Sequence, residues 1–388
     1  MPCRKNSPDT TGFPVTDTSP YFLYGTMLDD ALRAVVTGAE VPVHPATVER
    51  MAVHPVADGS YPLIRYERDA VARGGVASLT PQQAERFAYY EGIFGYTLKV
   101  ISLSDGTQAR VWWPPAALEA EADKTQVFDL LRWHESFGPV TREAAIEIMG
   151  YMGRFQPQDL IWRMPMIRIR AASQLAARAP KPTTRRSAMH RDKVEVVKEH
   201  TPHAGWFLTR SYTLSHPLFG GGMSEKVHRE VFIASDAAFV LPYDPKRDRV
   251  LLVEQFRLGC FGRGDPHPWT LEPVAGRVDP GETPEACARR ETVEEAGLDL
   301  HELISVGSHY CSPGATTEYY HSFIGLCDIP HVEKGVGGCP DEHEDIRTHR
   351  LSFDEAYALY ESGEADCGPL QICLLWLSRE RARGRWCA

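Results

Sequence analysis

Three glutamates and one arginine crowd the run Arg290-Glu291-Thr292-Val293-Glu294-Glu295-Ala296-Gly297-Leu298. At helical spacing Glu291 and Glu295 lie one turn apart and Glu294 sits beside them, so the carboxylates share one face. Like charges so placed repel, and the face costs stability unless a cation binds it. Hard divalent cations prefer oxygen ligands, and Mg²⁺ takes one or two carboxylates and completes its shell with substrate phosphates. The chemistry implied is attack of a metal-activated water on a diphosphate. Arg290 precedes Glu294 by four residues and follows Glu282 by eight, a spacing that lets it pin the acids. The plain alternative is a solvated acidic helix.

Neighbouring residues define the element that must position these groups. Upstream runs Gly276-Arg277-Val278-Asp279-Pro280-Gly281-Glu282; Thr283 can cap a helix, Pro284 suits its first turn and Gly297 its left-handed stop. Before it, Ala237–Leu241 and Val250-Leu251-Leu252-Val253 read as strands flanking a hairpin turn at Asp244–Asp248. Strands are expected near 303–309 and 319–326, then a Gly-rich loop over about 331–344. Two closing helices follow, the first opened by the capping box Ser352-Phe353-Asp354-Glu355. Mixed strands and helices make this part α/β or α+β.

The chain of 388 residues exceeds one ordinary core, so two or three domains are expected. A net charge of −10 argues against a nucleic-acid groove or a polybasic membrane anchor, and no apolar run is long enough to span a bilayer. Residues 1–19 read as a disordered leader. From Tyr21 to Pro115 strand-like and turn-like segments alternate, among them Tyr21–Tyr24, Thr97–Ile101 and Ala109–Trp113. A helical extension covers 117–170, where Thr141 is an expected N-cap. Residues 171–191 read as a linker, leaving 192–388 as the last domain. Nine cysteines without a ligand-like cluster fit reduced thiols in a cytoplasmic protein.

Every charged and glycine position of the long Nudix signature is filled across 276–298, with Thr292 where an aliphatic residue is usual, so the segment resembles the catalytic helix of Nudix hydrolases. The flanks Pro268–Gly276, Ser312–Glu318, Val253–Arg257, His228–Phe232 and Asp341–Ile346 resemble the bacterial ADP-ribose pyrophosphatase branch. That resemblance implies an α/β/α sandwich in which Glu291, Glu295 and the backbone carbonyl of Ala275 bind Mg²⁺, with Mn²⁺ as a substitute. It also implies Glu342 as general base, Glu344 as a further metal ligand, Arg290 and Glu294 as supporting catalytic groups, and Arg229 and Arg257 as diphosphate-facing arginines. Trp206 matches an aromatic that stacks near the adenine, or else is a core tryptophan. The implied products are AMP and ribose 5-phosphate, and the implied assembly is a homodimer through the Nudix domain.

Residues 20–116 resemble the gamma-glutamyl cyclotransferase (AIG2-like) barrel through Tyr21–Leu28 and Glu85–Gly92 with Tyr96. The resemblance implies that Tyr24, Gly25 and Thr26 hold a glutamyl group and that Glu91 is the acid/base. Met27 departs from the usual Asn, and fold alone does not fix function. The order of the two modules resembles bacterial tellurite-resistance fusion proteins. Four readings follow: an ADP-ribose hydrolase, a pyrophosphatase for another nucleoside diphosphate sugar such as GDP-mannose, a non-catalytic nucleotide sensor, and gamma-glutamyl cyclotransfer in the first domain.

Overall fold

The computed structural model describes residues 18–187, 189–330, 336–337 and 345–386. It divides into two compact units, Met1–Ala171 and Ala172–Ala388. The expected leader and the loop acids Glu342 and Glu344 lie outside the described residues, apart from the leader's last two positions.

In the first unit, β1 (Ser19–Leu23) runs into a 3₁₀ turn at Gly25–Leu28, followed by α1 (Asp30–Thr37), β2 (His44–Pro55), β3 (Pro62–Leu79), α2 (Pro81–Ile93), β4 (Thr97–Ser102) and β5 (Gln108–Trp113). The strands form one sheet in the order β2-β3-β1-β5-β4, with β1 antiparallel to β3 and parallel to β5. α3 (Leu130–Ser136), α4 (Gly138–Met149) and α5 (Met164–Ala176) follow.

The strand-and-turn expectation for Tyr21–Pro115 overlooks α1 and α2. Their signals are in the termini: Asp29 caps α1 and Gly38 ends it in the left-handed region, while Thr80 and Gln83 form a capping box ahead of α2. Thr141 is not an N-cap. α4 begins at Gly138 with a proline in its first turn, and the Thr141 hydroxyl donates back to the Phe137 carbonyl from inside the helix.

The second unit opens with β6 (Glu195–Ala204), β7 (Leu208–Ser215) and β8 (Val227–Ile233), an antiparallel three-stranded sheet. Then come β9 (Asp236–Asp244), β10 (Arg249–Phe256), α6 (Leu258–Arg263), β11 (Trp269–Glu272), β12 (Val274–Arg277), α7 (Pro284–Ala296), β13 (Glu302–Tyr310), β14 (Tyr319–Leu326), β15 (Val336–Gly337), β16 (Ile346–Ser352), α8 (Phe353–Ser362) and α9 (Gly368–Ala382). The central sheet runs β13-β14-β9-β10-β16-β15.

The expected hairpin of β9 and β10 forms, held at its turn by the Asp244 carboxylate accepting from the Lys246 and Arg247 amides. The strands pair only next to that turn, because β12 takes over β9 and β11 takes over β10. Alternation along the strands sends side chains to two cores. Val240, Leu251 and Val253 pack with Cys287 and Ala288 of α7. Leu241, Val250 and Leu252 pack with Phe353 and Ala356 of α8 and with Leu370 and Leu374 of α9. Helices therefore cover both faces, giving the expected α/β/α sandwich.

Candidate functional site

α7 is fixed by its ends and by its buried stripe. The Thr283 hydroxyl accepts from the Ala286 amide at 3.2 Å, a proline occupies the first turn, and Gly297 terminates the helix at φ +64°. Cys287, Ala288, Thr292 and Ala296 are buried. Thr292 is tolerated there because its hydroxyl donates to the Ala288 carbonyl one turn back, at 2.6 Å.

This anchoring lays Glu291 and Glu295 against β12. The Glu295 side chain is buried, and one carboxylate oxygen accepts the Ala275 amide at 3.3 Å. Glu291 crosses Gly276 so closely that a Cβ there would sit 1.8 Å from its Oε1, which is why the position is glycine. Arg290 ties the acids together. Its Nε and Nη2 donate to Glu282 at 3.0 and 3.1 Å, and Nη1 donates to Glu291 at 2.7 Å and to Glu294 at 2.9 Å.

The charges respond accordingly. Its hydrogen bond to Glu282 leads the effects that hold the Arg290 guanidinium above its usual range. Burial pushes the Glu282 carboxyl up, but the bonds from Arg290 and the Asp279 amide outweigh it and hold the group below its ordinary value.

These residues fit a hard divalent cation. The donors are oxygens, one carboxylate is buried, and the glycine keeps the second close to the backbone. Among the described residues no three His, Cys, Asp or Glu side chains form a complete cage. Two helix carboxylates with a backbone carbonyl suit Mg²⁺, which leaves much of its shell to water and substrate phosphate.

The remaining expected residues are spread more widely. Arg257, just after β10, forks onto Glu272 at the end of β11, Nε to Oε1 at 2.8 Å and Nη2 to Oε2 at 2.6 Å. Burial depresses the Arg257 guanidinium, yet Glu272 and Glu295 together raise it. The sequence reading missed Glu272 as a partner, since only the β10–β11 register brings the two together. Arg229 lies on β8 and donates to the His228 carbonyl at 2.7 Å. Trp206 sits in the turn between β6 and β7 and is 42% exposed, which excludes the core reading. Arg229 and Trp206 thus belong to the three-stranded sheet, not to the carboxylate cluster.

The first unit holds a second candidate site around a cavity of about 500 Å³ lined by Tyr24, Thr26, Met27, Glu91 and Tyr96. Gly25 must be glycine here: its φ is +56° and a Cβ would meet the Pro62 ring at 1.9 Å. The buried Arg33, unnoticed in the sequence, steadies this turn by donating to the Met27 and Val41 carbonyls at 3.1 and 3.0 Å. The Tyr24 hydroxyl donates to the Trp112 carbonyl at 2.9 Å. Burial pushes the Glu91 carboxyl up to about 8. Of the two tyrosines that precede it, Tyr90 lines the cavity together with Tyr24 and Tyr96, and Tyr89 does not.

Comparison with known proteins agrees with this division. The model of the NUDIX domain matches residues 234–368. That of the gamma-glutamyl cyclotransferase, AIG2-like family matches residues 21–134. ADP-ribose pyrophosphatase of Escherichia coli (strain K12) is 41% identical over 187 residues, covering 48% of this chain and 88% of that protein. ADP-ribose pyrophosphatase of Haemophilus influenzae is 40% identical over 192 residues, 49% of this chain and 88% of that protein. GDP-mannose pyrophosphatase of Klebsiella pneumoniae is 32% identical over 184 residues, 47% of this chain and 91% of that protein. With its glutamate helix folded onto β12 and these relatives spanned almost end to end, the chain belongs to the Nudix hydrolase family, with an AIG2-like domain ahead of the Nudix domain.

Proposed function

We propose that the second unit hydrolyses the diphosphate of ADP-ribose, releasing AMP and ribose 5-phosphate. The observation that carries this reading is the Arg290-centred set of Glu282, Glu291 and Glu294, with Glu295 seated on the Ala275 amide. Glu291, Glu295 and the Ala275 carbonyl would hold Mg²⁺, with Mn²⁺ as a substitute. Bound there, the metal lowers the pKa of a water and neutralises charge on the diphosphate. Arg290 keeps Glu291 and Glu294 oriented through the reaction. Arg257 spends Nε and Nη2 on Glu272 and keeps Nη1 outside that fork for a phosphate oxygen. Arg229 and Trp206 serve the substrate from the three-stranded sheet, and Glu342 and Glu344 remain the proposed base and additional ligand.

ADP-ribose is favoured over other nucleoside diphosphate sugars by the 40–41% identity to ADP-ribose pyrophosphatases. The GDP-mannose reading stands on relatives at 29–32%. The test is AMP release from ADP-ribose with Mg²⁺, run beside GDP-mannose. Glu295→Gln should lower kcat about 100-fold or more, because the amide loses the charge the metal needs. Undetectable AMP from the wild type, or a variant as active as the wild type, overturns the proposal.

A homodimer and a cytoplasmic location belong to the same reading. The three-stranded sheet exposes Val196 and Val197, and its β7–β8 connection exposes Phe219, apolar surface that a second copy would cover. The described cysteines Cys260, Cys287, Cys311, Cys327, Cys367 and Cys373 are free thiols.

A second activity is favoured by one observation in the first unit, the buried Glu91 in its cavity. A carboxyl protonated near neutrality suits acid/base work in gamma-glutamyl cyclotransfer. Release of 5-oxoproline from a gamma-glutamyl amine, lost in Glu91→Gln, tests it; no release from any gamma-glutamyl substrate sinks it.

A further inference from the structure

The cavity of the first unit is not built by the AIG2-like segment alone. The family match ends at residue 134. Beyond it, α4 contributes Thr141, Ala144 and Ile148 to the lining, and the following stretch into α5 contributes Ile161, Met164 and Arg168. These six residues come from the helical extension, and four of them are apolar.

The cavity's size falls in the range of pockets that enclose a small organic molecule. Its lining is lopsided. Glu91 is 8% exposed, and its carboxyl makes no hydrogen bond among the described residues. Ile148 is buried, whereas Ile161 is 57% exposed and marks the mouth. Arg168 is exposed at the same wall, close to Tyr90, and no ion pair among the described residues includes it. An unpaired guanidinium beside an apolar chamber is a ready anchor for an anion whose body fills that chamber.

We propose that this cavity binds a small amphipathic anion, with the aromatic or branched apolar body enclosed against the helical extension and the anionic group held by Arg168. Ile148, Ile161 and Met164 set what body fits, and the unpartnered Glu91 carboxyl meets the ligand's polar end inside. The site is independent of the diphosphate hydrolysis proposed for the second unit and does not require gamma-glutamyl chemistry. A ligand's carboxylate and a ligand's sulfonate or phosphate share the chemistry Arg168 recognises.

The test uses two dyes on the full chain. 1-Anilinonaphthalene-8-sulfonate carries an aromatic body and an anion, and N-phenyl-1-naphthylamine carries the body without the charge. Titration by fluorescence should show one saturable sulfonate-dye site per chain. Arg168→Gln should weaken that dye about 10-fold and leave the neutral dye within twofold. Ile161→Asp, at an exposed position that preserves the fold, should weaken both dyes. Lys124→Gln, which removes a cation outside the lining, should change neither. ADP-ribose hydrolysis by each variant reports on folding of the second unit, and far-ultraviolet circular dichroism reports on the whole chain. If the sulfonate dye binds without saturation, or binds equally well to Arg168→Gln and Ile161→Asp, the proposal is overturned.

Discussion

Gly276 shows how little space the carboxylate site leaves. A methyl group there would sit 1.8 Å from Glu291 Oε1, the end of a flexible side chain and not backbone. Gly276→Ala should therefore force the Glu291 side chain, which it would also meet at Cδ and Cγ, out of the proposed metal position. We expect kcat to fall about 10- to 100-fold, with a drop in melting temperature too small to account for that loss, read by AMP release and thermal denaturation. An unchanged kcat would show that Glu291 has no fixed place in the chemistry. Glu91 makes a pH prediction at the same scale. Burial raises its carboxyl from 4.5 to about 8, so the folded unit holds a proton that the unfolded chain releases. Its stabilising contribution is fully present below 4.5 and is lost as pH climbs through 8. Tyr24, Tyr90 and Tyr96 face it, and burial raises all three, so they stay neutral throughout that window. Glu91→Gln should leave stability at pH 5 almost unaltered and raise it at pH 8, measured by thermal melts at both values. Equal effects at the two pH values would contradict a buried titrating carboxyl.

At the scale of elements, α7 is a platform whose register matters more than its absolute strength. Its cap, stop and buried stripe fix which residues face β12. Thr283→Ala removes the cap bond to Ala286 and should cost about 1 kcal/mol. In a domain of this size that is a drop of about 2–4 °C in melting temperature. Because Glu291 and Glu295 lie two and three turns further along, kcat should change less than about threefold. A large loss of kcat with no change in melting temperature would mean that the first turn itself touches the substrate. The splayed hairpin of β9 and β10 serves the same purpose. By admitting β11 and β12 it brings Glu272 to Arg257 and Ala275 under Glu295.

At the scale of the whole chain, the two units carry separate cores and separate candidate sites. The ADP-ribose pyrophosphatase relatives are matched over 88% of their length by 187–192 residues of this chain. The proposed boundary therefore predicts that residues 192–388, expressed alone, hydrolyse ADP-ribose within about threefold of the full chain, since the proposed ligands all lie in that unit. Loss of activity would place an essential group in the first unit. Light scattering on the full chain should give twice 43.4 kDa if the three-stranded sheet is a dimer surface. A charged replacement, Val197→Glu, should shift it toward the monomer.

The sequence by itself determined the carboxylate helix, because caps, the left-handed glycine stop and one-turn spacing are local rules written in consecutive residues. It determined the strands of the sandwich for the same reason, through runs such as Val250-Leu251-Leu252-Val253. α2 escaped because its signal lies in the flanking cap at Thr80 and not in a strong apolar period, whereas α1 escaped because its amphipathic face is only two turns long. What the tertiary structure alone decided is the pairing of Arg257 with Glu272 across the β10–β11 register. It also decided that Ile148, Ile161 and Arg168 wall the Glu91 cavity. Such contacts depend on strand register and on helices packing back over long loops, and neither is encoded by spacing within one element.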